Sequence, residues 1–187
     1  MAGLLASRIR KLFNYDRETG QLIWRERDLS EFSSERALRA WNTRYAGKTA
    51  GSYTARLNCI VLAINGKSYK AHRVVWIWHY GEWPHQQIDH INGDGRDNRI
   101  ENLRDVSCSE NHKNMPLNRN SRSGVIGVRL HKDGAWLAEI KVGDRYLHLG
   151  SYSDIRLAAA ARKAAEKVLG YHENHGRPSQ VVDRRTA

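Results

Sequence analysis

Between Ile88 and Asn111 the chain reads Ile88-Asp89-His90-Ile91-Asn92-Gly93-Asp94, then Asp97-Asn98-Arg99-Ile100-Glu101-Asn102-Leu103-Arg104, then Ser107-Cys108-Ser109-Glu110-Asn111. Few of these residues could serve only as core. The preceding residues are patterned for packing instead. Leu57 to Tyr69 carries an apolar run, an Asn65-Gly66 pair and a second short strand, the strongest local hairpin signal in the sequence. His72 to Tyr80 follows as a mostly buried helix, in which Trp76, Trp78 and Tyr80 share an apolar setting with Val74, Val75 and Ile77 and read as packing rather than as base-stacking platforms.

Upstream, Leu4, Leu5, Ile9 and Leu12 recur at helical spacing, and Tyr15 to Trp24 reads as a hairpin turning at Thr19-Gly20. Residues 26–45 are charged and weakly periodic, with a short helix around Ser34 to Trp41 as their clearest feature. Downstream, the Asn-, Arg- and Ser-rich stretch after Asn111 has the composition of a linker. Val125–Leu130, Trp136–Val142 and Tyr146–Ser151 then read as three strands, followed by a helix from Asp154 to Leu169 that stops at Gly170. Residues 171–187 read as an ordered stub followed by a mobile tail, whose His172, Glu173 and His175 are a weak metal signal.

The 31 Lys and Arg residues against 20 Asp and Glu give a net charge of +11, as expected of a protein that meets polyanions. Residues 112–187 hold 14 basic and 7 acidic side chains, so the C-terminal part should grip nucleic acid hardest. Cys59 and Cys108 stand far apart without CxxC spacing, which argues against a disulfide framework and a thiolate zinc site. No stretch reaches the roughly 18 apolar residues of a membrane helix, so the expected location is the cytoplasm.

Hydrolysis of a phosphodiester needs an activated water, stabilised phosphoryl oxygens and help for the departing 3′ oxygen, which one divalent cation and one base can supply. Asp, His and Asn are the right types for that task. In number and order they resemble the HNH endonucleases, in which an Asp-His or His-His pair is followed about twelve residues later by Asn and nine further by His or Asn. Asp89, His90, Asn102 and Asn111 stand at those intervals. Asn102 directly precedes Leu103, as the family's middle Asn does, which leaves Asn98 as a loop residue.

The resemblance implies a β-hairpin and helix wrapped on one metal ion, and Ser107 with Glu110 forms a capping box at the start of that helix. It implies Asp89 and Asn111 as metal ligands, His90 as the base that activates water, and Asn102 as the brace of the loop that holds His90. So oxygen-rich a site favours Mg²⁺, with Mn²⁺ possible, over zinc. Having Asn111 where many members carry His removes an imidazole ligand. Arg73, Arg96, Arg99 and Arg104 are candidates to clamp the flanking phosphates.

In the C-terminal strands, period-two alternation puts Val128, Leu130, Trp136, Ala138, Ile140, Leu147 and Leu149 on one buried side. The small residues Ala158, Ala161 and Ala165, with Leu169, let the helix approach that side closely. A three-stranded sheet on one helix, with Gly127-Val128-Arg129, Ala138-Glu139-Ile140-Lys141 and Leu149-Gly150, resembles the AP2 DNA-binding domain. That resemblance implies Arg129, His131, Glu139, Lys141, Tyr146 and His148 as readers of bases and phosphates in double-stranded DNA.

The expected architecture is therefore α+β. It comprises an N-terminal β-rich entry region (1–70), a ββα-metal nuclease core (71–116), a linker (117–122), an AP2-like three-stranded antiparallel sheet on one helix (123–170) and a tail (171–187). This arrangement resembles phage-borne and homing-type endonucleases, and its single site suggests nicking by a monomer. Two alternatives stay open: a non-catalytic DNA-binding regulator that keeps the HNH fold as a scaffold, and an RNA-binding or RNA-processing protein.

Overall fold

The computed structural model describes residues 5–178, and the chain divides into two compact units, Met1–Cys108 and Ser109–Ala187. Leu4 of the expected opening helix and residues 179–187 of the expected tail lie outside the described residues. The fold is mixed α and β, with several small antiparallel sheets.

The first unit opens with α1 (Ala6–Leu12), which buries Ile9 and Leu12, and a hairpin of β1 (Phe13–Tyr15) and β2 (Leu22–Trp24) paired from Phe13↔Trp24 to Tyr15↔Leu22. Helix α2 (Glu35–Tyr45) starts at Ser34, whose Oγ accepts a hydrogen bond from the Ala37 amide at 3.3 Å. It buries no residue fully. Its hold is an aromatic cluster instead: Trp41 meets Trp24 edge-on at 5.5 Å, and the Arg27 guanidinium lies 4.1 Å from the Trp41 ring centre.

Strands β3 (Ser52–Thr54), β4 (Cys59–Ile64) and β5 (Lys67–Lys70) form a sheet in that order. Between β4 and β5, Asn65 (φ 50°) and Gly66 (φ 75°) are both left-handed, the pair of conformations a tight two-residue hairpin turn requires. Helix α3 (Ala71–Tyr80) buries Ala71, His72, Val74, Val75 and Ile77. Its apolar members build one core with Ile9, Leu12, Phe13, Leu22 and Ile64, each large apolar side chain contributing about 1.5–3 kcal/mol. Trp76 and Trp78 pack against it, as expected, but Tyr80 is 53% exposed. Tyr80 is the last residue of α3 before Gly81 ends the helix, and its ring leans on Trp76 at 4.4 Å.

The first unit closes with β6 (Gln87–His90) paired to β7 (Leu103–Val106). Helix α4 (Cys108–His112) begins directly after Ser107.

In the second unit β8 (Val128–Leu130), β9 (Trp136–Val142) and β10 (Arg145–Tyr152) form an antiparallel sheet in the order β10-β9-β8, and α5 (Ile155–Val168) packs against it. Asp154 caps α5 by accepting from the Arg156 amide at 2.7 Å. Val128, Ala138, Ile140 and Ala158 are buried as expected, but Leu130 and Leu147 are 58% and 54% exposed. Both sit on the edge strands, and the alanine-rich face of α5 is too small to cover a sheet out to its margins. A register shift between His148 and Gly150 also breaks the alternation near Leu149.

Under the helix the alanines share space with charge. Arg162 and Glu166 are buried as an ion pair at 2.9 Å, and Arg162 Nη1 also donates to the Glu139 carbonyl at 2.8 Å. The segment with linker composition is partly tied down. Asn114 is buried, the Leu117 amide donates to the Arg177 carbonyl, and the Gly176 amide donates to the Met115 carbonyl. Cys59 is buried and Cys108 exposed, both as free thiols. Among the described residues no helix is long and apolar enough to cross a membrane.

Candidate functional site

The β6–β7 pair places two of the singled-out side chains at one strand end. Asp89 lies opposite Arg104 in the register and His90 opposite Leu103, and both Asp89 and His90 are 8% exposed. The connection, residues 91–102, ends in a single 3₁₀ turn at Ile100–Asn102. It has almost no apolar residues, so hydrogen bonds must shape it.

Asn102 is the centre of that network. Its Oδ1 accepts from the Asn92 amide at 3.0 Å, while its Nδ2 donates to Asn92 Oδ1 at 3.0 Å and to the Asp97 carbonyl at 2.8 Å. Its own carbonyl accepts from the Ile91 amide at 2.9 Å, and the Gly93 amide donates to the His90 carbonyl at 2.8 Å. One side chain thus ties both ends of the loop to the residues that follow His90. Asp97 adds a fork with Arg99, at 2.8 and 2.7 Å, which holds the Asp97 carboxyl below its usual range.

Asn98, read from the sequence as a loop residue, is 2% exposed and turns its Oδ1 to His90 Nε2 at 3.0 Å. An amide oxygen only accepts, so Nε2 carries the ring hydrogen and the lone pair sits on Nδ1. Asn98 is fixed in turn by the Tyr15 hydroxyl, which donates to its carbonyl at 3.0 Å. Burial pushes the His90 pKa below the ordinary histidine value, and the Asn98 hydrogen bond and the Asp89 charge partly oppose it. The neutral, proton-accepting form is therefore favoured near neutral pH.

A turn of the β3–β4 connection supports the loop from outside. Asn58, itself left-handed at φ 45°, donates from Nδ2 to the Gly93 carbonyl at 3.3 Å and accepts from the Tyr53 hydroxyl at 2.8 Å. Its carbonyl lies where a Cβ at Gly95 would stand. Gly95→Ala should therefore cost roughly 1–3 kcal/mol through backbone displacement, read as a lower urea midpoint with an unchanged slope.

The four arginines differ in their engagements. Arg104 places Nε and Nη2 on Asp89 Oδ2 at 2.9 and 2.7 Å, and Arg99 serves Asp97. Arg73 donates to the Gln86 carbonyl at 2.9 Å, and exposed Arg96 stacks 4.1 Å from the Tyr53 ring centre. Asn111 lies on α4 in the second unit. In the second unit's sheet, the pairings Arg129↔Leu137, Glu139↔His148 and Lys141↔Tyr146 put Arg129, Glu139, Lys141, Tyr146 and His148 on the face opposite Val128, Ala138 and Ile140. His131 follows β8, 2.8 Å from Asp133.

Among the described residues no group of three or more His, Cys, Asp or Glu side chains is placed to hold a metal ion. The donor chemistry around Asp89 nevertheless fits a hard divalent cation. It offers a nearly buried carboxylate that already requires a cation opposite it, in a loop rich in amide and carbonyl oxygens. A sparse protein ligand set leaves coordination positions to water and phosphate oxygens.

A second imidazole is concealed by the apolar pattern of α3. His72 is 6% exposed, its ring centre 5.0 Å from that of His90 at an interplanar angle of 78°. Burial, helped by the neighbouring His90, pushes its pKa down to about 3. A histidine neutral in the fold and basic when unfolded contributes stability that is full above pH 6.5 and is lost as pH falls from 6.5 toward 3. The melting temperature should drop between pH 7 and pH 5, and by less in His72→Phe, as followed by circular dichroism.

A family model described as HNH endonuclease matches residues 69–113, from the end of β5 through the β6–β7 hairpin to α4. No curated protein matches the chain. No solved structure matches it either. The matched segment holds Asp89, His90, Asn98, Asn102 and Asn111, and its similarity to HNH endonucleases supports a nuclease.

Proposed function

We propose that the protein is a metal-dependent endonuclease that hydrolyses phosphodiester bonds of double-stranded DNA with His90 as general base. The observation that carries this reading is the buried His90 imidazole, locked by Asn98 into the tautomer with its lone pair on Nδ1, one residue from the Asp89 carboxylate.

Asp89 would hold the ion, with Mg²⁺ favoured and Mn²⁺ an alternative. Bound there, a divalent cation supplies charge neutralisation at the phosphoryl oxygens and the departing 3′ oxygen. His90 Nδ1 takes a proton from the attacking water, and Asn98 stabilises the resulting imidazolium by accepting from Nε2–H. Asn102 keeps the loop, and with it His90, in register. Exposed Arg96 and half-buried Arg73 would meet flanking phosphates, while Arg99 and Arg104 would reach phosphate by exchanging Asp97 and Asp89 for it. The products are a 5′ phosphate and a 3′ hydroxyl. Incubation of labelled duplex with the full chain and Mg²⁺ should give ends that ligase rejoins without prior kinase treatment, and ends that ligase refuses would sink this chemistry.

The second unit's sheet face carries the AP2-like part of the proposal, binding duplex DNA through Arg129, Lys141, Tyr146 and His148, with His131 and Glu139 beside them. Arg129→Ala combined with Lys141→Ala should weaken binding and lower the slope of log K against log salt by roughly 1 for each phosphate no longer neutralised. Fluorescence anisotropy at several salt concentrations measures both. One observation favours the alternative of a DNA-binding regulator with an HNH scaffold: Arg104 already neutralises Asp89. That alternative predicts tight binding with no cutting at any metal concentration.

A further inference from the structure

We propose that the outer face of α2 is a duplex-DNA contact of the first unit, with Arg36 and Arg44 as its phosphate-binding residues, an inference that rests on the nuclease reading for its substrate. Residues 36–81 contain eight Lys and Arg and no Asp or Glu, a run of one sign that begins on α2. At 3.6 residues per turn, Leu38, Trp41, Asn42 and Tyr45 fall on one side of the helix, and all four are half-buried. Arg36, Arg39, Ala40, Thr43 and Arg44 fall on the other side and are exposed.

The inner side fixes the helix. Asn42 accepts from the Arg27 amide at 3.0 Å and donates to the Arg27 carbonyl at 3.2 Å, while the Trp41 ring centre lies 5.2 Å from that of Tyr45 and 6.1 Å from that of Phe32. A helix held along one side presents the other preorganised, so its cations meet phosphate without first ordering a loop. Of the three outer arginines, Arg39 is taken by Glu35 at 3.0 Å, whereas Arg36 and Arg44 have no ion-pair partner among the described residues. Arg44 lies in the last turn, where the helix dipole favours a cation. Arg36 stands in the first turn, where the dipole opposes one, so helix stability does not account for it. A phosphate backbone does. Guanidinium forks match phosphate oxygens, Ala40 and Thr43 between the two arginines are small enough for a backbone to approach, and the Thr43 hydroxyl can donate to it. Duplex DNA is the polyanion that the His90 chemistry already brings to this unit.

The test measures duplex binding by the full chain, by fluorescence anisotropy over a range of salt concentrations, with kcat, KM and melting temperature for each variant. Arg36→Ala combined with Arg44→Ala should weaken binding about fivefold or more and lower the slope of log K against log salt by roughly 2, one for each phosphate no longer neutralised. Lys11→Ala combined with Lys167→Ala removes the same charge from exposed positions elsewhere and should change the slope by less than about 0.5. Arg36→Glu should weaken binding further than Arg36→Ala at an unchanged or higher melting temperature, since a carboxylate suits the first turn. KM should rise with the lost affinity while kcat stays within about twofold, because a contact made equally in the ground and transition states carries no rate. A wild-type slope in the Arg36 and Arg44 double variant, wild-type binding by Arg36→Glu, or equal losses in the double variant and its charge-matched control would overturn the proposal. If the wild type binds duplex but never cuts it, the nuclease reading fails and the slopes still decide the role of α2. If it binds no duplex, both fall.

Discussion

His90→Ala should lower the DNA cleavage rate by roughly 10²–10⁴-fold, the contribution typical of a positioned general base, while duplex affinity stays within about twofold. The separation follows from where the residue sits. His90 is 8% exposed, at the end of β6 and inside a hydrogen-bonded loop, so it offers little surface for phosphate contact but a fixed nitrogen for proton transfer. Single-turnover cleavage and anisotropy on one preparation measure the two quantities together. A variant that binds less and cuts in proportion would show His90 to be a substrate contact or a structural residue.

The second large effect is expected at Asn98. Asn98→Leu keeps the volume but removes the acceptor for His90 Nε2–H, so the imidazole is free to carry its hydrogen on Nδ1, the wrong nitrogen for a base aimed from that atom. The rate should fall by about 10–100-fold, the usual range for losing the partner that orients a functional histidine. Asn98→Asp keeps an acceptor at that position and should recover part of the rate. Because Asn98 is 2% exposed and anchored through its backbone by Tyr15, both variants need a melting curve beside the kinetics. Equal rates for Asn98→Leu and Asn98→Asp at equal stability would remove Asn98 from the mechanism.

The hairpins and helices were legible because period and turn chemistry act locally. Asn65-Gly66 specifies its turn, and the bounds of β9 follow directly from alternation. The antiparallel order of the second unit's three strands and the Asp154 cap fall under the same local rules. What stayed hidden depends on contacts between residues far apart in the chain. Asn98 looks like any Asn in an Asp- and Gly-rich loop until the Tyr15 hydroxyl, from the first hairpin, pins its carbonyl and its amide turns toward His90. Spacing points to Asn102 and so to the loop, but it carries no information on which amide faces the ring.

His72 was masked for the opposite reason. On an apolar helix it reads as one more core position, and the only available signal was a titratable residue among valines and isoleucines. The Arg162–Glu166 pair beneath α5 is similar: the alanine pattern announces close packing, not the buried charges that share it. Leu130 and Leu147 show the limit of alternation, which assigns a face but not whether a neighbouring helix reaches far enough to cover it.

The most direct measurement is the conversion of supercoiled plasmid by the purified full chain in Mg²⁺, after addition of EDTA, and after restoring Mg²⁺ in excess. Nicked or linear product that forms with the metal, stops with the chelator and resumes on restoration is the predicted result. Tight plasmid binding with no strand scission under any of the three conditions would contradict it and leave a DNA-binding scaffold in which Arg104 permanently occupies Asp89.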